Sequence, residues 1–249
     1  MLFGADRNIT RVDNTGTTFT QRTKVLPWPQ NRAALGYAGQ AEIGGVPADE
    51  WFNDFIGRNS CFQTFEALAE QLRSEVERQR RSDEGAQNPE ALIIHLGGFE
   101  LRAGIHLPTI WLITNVWNLV NGQYCDFRKE FKKTDEFWHQ QYKHTHLPPT
   151  EVRDYLGGLA SKHSPFWFHQ GFDLGTFNIL EGFVKEAFKT LCDPRWGLGH
   201  SLPCTLSEWE SQVRMSVLTY GAYFSAYKGQ GAQFVGGGAD VVSIPWPEQ

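Results

Sequence analysis

From residue 2 to residue 39 the apolar positions come in short runs separated by turn chemistry. Leu2-Phe3-Gly4-Ala5 is apolar and stops at Asp6-Arg7. Asp13-Asn14-Thr15-Gly16 carries turn-favouring residues, and Thr17-Thr18-Phe19-Thr20 beyond it is β-branched and aromatic. Lys24-Val25-Leu26-Pro27 and Ala33 to Gly39 are two further short apolar runs. This spacing predicts a hairpin or strand pair, then more strands, together forming an antiparallel meander. The period then changes. Pro47 to Ile56 gathers Trp51, Phe52, Phe55 and Ile56 on one side, and Phe65, Leu68, Leu72 and Val76 recur at helical spacing. The second of these helices should run out into solvent through the charge-dense Glu75 to Arg81, ahead of a polar loop from Ser82 to Pro89.

Ala91 to Gly98 and Thr109 to Asn115 are nearly continuous apolar runs, the pattern of strands buried on both faces. Tyr124 to Thr134 reads as a more exposed strand, Pro149 to Leu159 as a short helix and Phe166 to His169 as a strand. Asp173 to Leu191 has an amphipathic helical pattern, with Phe177, Leu180, Phe183, Val184, Ala187 and Leu191 apolar. Thr205 and Glu208 form a capping-box pair opening a last helix that runs to about Tyr227. Gln233 to Val235 and Val241 to Ile244 are closing strands, joined through a bend at Gly236-Gly237-Gly238. Blocks of strands and helices in this order predict an α+β fold in one domain spanning residues 1–249.

Composition narrows the function classes. The 249 residues are 41% hydrophobic and 20% charged, as in a globular protein, and the net charge of −5 disfavours broad binding to nucleic acid or an anionic membrane. Cys61, Cys125, Cys192 and Cys204 form no C-x-x-C pair, which fits a reduced, cytoplasmic protein. No stretch reads as a signal peptide or a membrane span, and no cofactor fingerprint is present. Nine Trp, seven Tyr and eighteen Phe suit either a large aromatic core or a pocket or interface lining. Cys192, His200 and Cys204 lack an evident fourth metal ligand, and His139, His144 and His146 read as surface residues. Gly199-His200-Ser201-Leu202-Pro203 lacks the final Gly of a nucleophile elbow. Arg78, Arg80 and Arg81, and Lys129, Lys132 and Lys133, read as solvated basic faces.

One constellation carries more. Gly4-Ala5-Asp6-Arg7-Asn8-Ile9-Thr10, then Lys24-Val25, then Gly36-Tyr37-Ala38-Gly39-Gln40-Ala41 resembles the opening of proteasome β-type subunits and related bacterial proteasome-like proteases. The resemblance implies an N-terminal-nucleophile (Ntn) hydrolase fold, a four-layer αββα sandwich of two antiparallel sheets, here without its first strand. It implies hydrolysis of a peptide or amide substrate by an N-terminal Thr, Ser or Cys, whose own α-amino group, of pKa about 7.7–8.0, takes the proton. By the same resemblance Lys24 is the activating lysine, Asp6 is its acid partner, and Gly39 gives a backbone N–H to the oxyanion hole. It also implies a homo-oligomer and an ATPase partner. Each residue has a plainer reading: Asp6 as a local turn residue, Lys24 as a strand-edge charge, Gly39 as a source of positive φ.

The chain departs from the family in two places. Phe166 to Gly171 lacks the small-residue Gly-Ser-Gly stretch, and no Thr, Ser or Cys begins a strand ahead of Asp6. Three accounts stand: a start placed too far downstream, a catalytically inactive protein kept for interaction or assembly, or internal cleavage at Gly16-Thr17 that frees Thr17. An unrelated α+β binding protein with an aromatic pocket is a further reading.

Overall fold

The computed structural model describes residues 1–13, 16–28, 33–61, 64–82, 90–102, 104–120, 123–135, 205–227 and 237–245, with a few single positions besides. In chain order these hold β1 (Leu2–Asp6), β2 (Asn8–Asp13), β3 (Gly16–Gln21), β4 (Val25–Trp28), β5 (Ala33–Gly39), β6 (Glu42–Ile43) and β7 (Val46–Pro47). Then come α1 (Ala48–Arg58), α2 (Phe65–Ser82), β8 (Leu92–Arg102), β9 (Ile105–Val120), β10 (Gln123–Asp135), α3 (Leu206–Tyr227) and β11 (Ala239–Ser243). The fold is α+β. No helix among the described residues is long and apolar enough to cross a membrane.

The principal sheet is antiparallel, with five strands in the order β10-β9-β8-β5-β4. Every residue of β5 from Ala33 to Tyr37 is buried, so its backbone needs a partner strand on each side. β4 supplies one, with Leu26 opposite Leu35. β8 supplies the other, with Leu96 opposite Leu35. The expected simple meander is therefore wrong. Among the described residues β2 pairs with β3 alone, from Asn8 opposite Gln21 to Asp13 opposite Gly16. β1 leaves its sequence neighbours and pairs with β11, placing Gly4 opposite Val241. The break between β1 and β2 has a local cause: the Asp6 carboxylate accepts the Asn8 N–H at 3.1 Å and turns the chain.

Alternation assigns the faces of the sheet. Leu26, Leu35, Leu96 and Ile113 point to α1 and α2, where they join Phe52 and Leu72 in the main core. Trp28 packs edge-on against Phe55 at 6.0 Å between ring centroids, and Tyr37 lies 5.1 Å from Phe52. Fully burying side chains of this size stabilises by about 1.5–3 kcal/mol each. On the opposite face Ala34 and Phe99 pack with Phe3, Val242 and Ile244, from β1, β11 and the residue after β11. Gly97 leaves room there for the Phe3 ring: a Cβ would come within 2.8 Å of its tip. The next residue of β1, Gly4, faces α3, where a Cβ would meet Val213 and Val217. One short strand thus touches the sheet on one side and α3 on the other.

Among the described residues α1, α2, α3 and β10 form close to the expected bounds, β8 and β9 run past the apolar stretches that announced them, and β10 is the outermost strand of its side of the sheet. The capping pair is made: Glu208 N–H donates to Thr205 Oγ1 at 3.2 Å, and Thr205 N–H to Glu208 Oε2 at 2.9 Å. The aromatic residues in the described part serve largely as core. The end of α2 is less solvated than its charge suggested. Arg80 is only 7% exposed. The runs expected at 149–159, 166–169 and 233–235 lie outside the described residues. Of 173–191 only Gly182, Glu186, Ala187 and Thr190 are described, all helical.

Candidate functional site

Asp6 ends β1, Lys24 immediately precedes β4, and Gly39 ends β5. The structure brings the first two together: Lys24 Nζ donates to Asp6 Oδ1 at 2.9 Å, across 18 positions of sequence. Their side chains are 12% and 15% exposed, so the pair is largely withdrawn from water without being fully desolvated. The main chain around Lys24 is fixed as well. Its carbonyl accepts the Tyr37 N–H at 3.0 Å, and the Tyr37 hydroxyl donates to Thr23 O at 3.1 Å. Burial pushes the Tyr37 phenol up, so it remains a neutral donor at physiological pH.

More charge surrounds the pair. Arg22 Nη1 donates to Asp49 at 3.1 Å and to Glu50 at 2.8 Å, both in the first turn of α1. Those acids suit the positive end of the helix dipole, and they hold the arginine above its ordinary pKa. Arg7 Nε donates to Asp240 Oδ1 at 2.8 Å, tying the end of β1 to β11. Arg22 N–H donates to Arg7 O at 2.9 Å and closes the root of the β2–β3 hairpin. Gly237 lies against that root: with φ +72, it leaves no space for a Cβ beside Asn8 Oδ1. This portion of the glycine triplet serves as a bend, in keeping with the sequence reading.

Gly39 lies on β5, two residues beyond Tyr37, and its contacts are with a different segment. Its φ is +99, and a Cβ there would fall 2.0 Å from Ala91 O. The next residue, Gln40, donates its N–H to that same carbonyl at 2.8 Å. A glycine is needed here because the backbone at the start of β8 passes so closely. Its requirement follows from this packing, whatever else the turn does.

Sequence reasoning missed two polar residues beside Gly39. Asn115 is fully buried at the end of an apolar run, and Arg80 is buried although it stands in a run whose charge predicts a solvated face. An amide inside an otherwise apolar strand was the available signal for Asn115. Lys133 also departs from a free solvated charge, lying 3.3 Å from Glu70 and over the Trp111 ring at 5.2 Å. His139, His144, His146, Cys192, His200 and Cys204 lie outside the described residues. Thr17 is the second residue of β3, opposite Val12, so cleavage before it would sever the β2–β3 hairpin and divide Asp6 from Lys24.

No known family model matches the chain, and no curated protein matches it.

Proposed function

We propose that this chain is a proteasome-like Ntn hydrolase acting on peptide or amide bonds. The observation that carries the reading is the Lys24–Asp6 ion pair, formed between the two residues that the resemblance nominates as activating lysine and acid partner. A lysine held this way presents a fixed positive charge that favours a deprotonated nucleophile and a developing oxyanion. Gly39 would contribute its N–H from the adjoining strand. The nucleophile itself, an N-terminal Thr, Ser or Cys, belongs to the form of the protein that carries it. The layer order supports the αββα architecture: α1 and α2, the five-stranded sheet, β1 with β11, then α3. Assembly into a homo-oligomer working with an ATPase belongs to the same reading.

A second reading is a non-catalytic interaction or assembly subunit. It is favoured by the structural work the pair already does, since Asp6 also accepts the Asn8 N–H and anchors the hairpin root.

The test is hydrolysis of a panel of fluorogenic peptides and amides by protein purified from its native host, with its N-terminal residue determined by mass spectrometry. The expected result is an N-terminal Thr, Ser or Cys, with turnover that drops at least about a hundredfold in Lys24→Ala while circular dichroism is unchanged. Turnover indifferent to Lys24→Ala would overturn the assignment. Absence of turnover in a folded protein would favour the second reading.

A further inference from the structure

Three chain segments converge behind Gly39 on two buried side chains. Asn115, in β9, is 0% exposed. Its Oδ1 accepts the Leu92 N–H at 2.7 Å, and its Nδ2 donates to Glu90 O at 2.9 Å and Arg128 O at 3.0 Å. One donor and two acceptors around the amide leave one orientation that satisfies all three. Arg80 completes the junction from α2. It donates through Nε to Gln40 Oε1 at 2.8 Å and through Nη2 to Glu90 O at 2.6 Å. Its guanidinium lies over the Phe131 ring, 5.4 Å from the centroid.

The third segment is irregular. Phe127 stands opposite Val116, but the next pair is Lys132 with Thr114, so β10 carries extra residues that form a bulge. Arg128 lies in that bulge, and Asp126 just ahead of it has φ +56. Bulged residues lose ladder bonds and need other partners. Asn115 is such a partner, and through Glu90 and Leu92 it also grips both sides of Ala91. Ala91 O is the atom that accepts Gln40 N–H and bounds the space at Gly39.

We infer that Asn115 is the positioning residue for the Gly39–Gln40 turn, with Arg80 as its support, and that it couples this turn to the bulge of β10. The catalytic part of this inference rests on the hydrolase reading, in which the turn supplies an oxyanion donor. A carboxamide suits the junction because it gives two N–H groups and one oxygen. In Asn115→Asp an oxygen would face Glu90 O and Arg128 O in place of a donor, and in Asn115→Leu the shape stays close but all three bonds are lost.

The test is site-resolved hydrogen exchange on the full chain, comparing Asn115→Leu and Arg80→Met with the parent. In Asn115→Leu the Gln40 amide and the amides of residues 128–131 should exchange at least about tenfold faster, while the Tyr37 amide stays within about twofold. Gln40 exchange within twofold of the parent in folded Asn115→Leu would overturn the inference. If Asn115→Leu opens globally, Arg80→Met decides. Faster Gln40 exchange with unchanged Tyr37 supports the junction, and unchanged Gln40 overturns it. Where hydrolysis is found, kcat should fall at least about tenfold in these variants with KM within twofold. A rise in KM alone would overturn the positioning role. Loss of the hydrolase reading by the Lys24→Ala test leaves the exchange result to stand or fall by itself.

Discussion

Gly39 and the Lys24–Asp6 pair place different demands on single residues. At Gly39 any side chain must displace backbone, since the nearest obstacle is the Ala91 carbonyl rather than a flexible tip. Positive φ adds its own cost. Gly39→Ala should therefore lose about 2–4 kcal/mol in urea unfolding, whether or not the protein has an activity. A loss below about 0.5 kcal/mol would mean that the turn is not built this way. The ion pair is less demanding, because water still reaches it. A double-mutant cycle with Asp6→Ala and Lys24→Met should give a coupling of about 1–3 kcal/mol, as for a charge-assisted bond. Asp6→Ala should be the costlier single change, because it also releases Asn8 N–H. Equal costs would argue that the Asn8 bond contributes nothing.

At the scale of elements, the reach of an interaction decides how legible it was. The α3 cap was readable because its partners are three residues apart, and both bonds form. Thr205→Ala should cost about 1 kcal/mol, measured by thermal unfolding, and the Glu208→Ala change on top of it should add little. Full additivity of the two would show that they do not act as one cap. The helices α1 and α2 and the strands β8 and β9 were legible for a similar reason, since the helices declare a buried face by period and the strands declare burial on both faces by an unbroken apolar run. Pairing was not. Nothing in Leu2–Asp6 marks Ala239–Ser243 as its partner, because strand pairing is written in shape and backbone exposure across the whole chain. The junction behind Gly39 was hidden in the same way. Asn115 and Arg80 belong to β9 and α2 and Gln40 to the turn after β5, and their common target is backbone at Glu90 and Ala91. Of the candidate site, the types and order of Asp6, Lys24 and Gly39 were visible, and the contact between the first two was foreseeable only through the resemblance.

For the whole molecule the thin element is the seam between the five-stranded sheet and the β1–β11 pair, where Phe3 lies over Gly36 and Gly97. His95 stands in β8 between Ile93 and Gly97, opposite Gly36, and by strand alternation faces that seam. Removal from water lowers its pKa from 6.5 to about 4. The folded protein therefore keeps His95 neutral where the unfolded chain already binds a proton. The stability this contributes is fully present above pH 6.5 and is lost as pH falls from there towards 4. Glu70 works in another window. The Arg73 guanidinium beside it holds its carboxyl down at about 2 from 4.5, so its contribution is lost only below about pH 4.5. The two windows separate the seam from the α2 surface. Between pH 7 and pH 4.5 the parent should lose about 2–3 kcal/mol more unfolding free energy than a folded His95→Leu variant. Glu70→Gln should leave this interval unchanged and flatten the decline below it. Urea titrations at pH 7, 5.5, 4.5 and 3 measure all three. Parallel profiles for the parent and His95→Leu would show that the seam admits water freely at His95 and that the layers are less tightly joined there than the Phe3 packing implies.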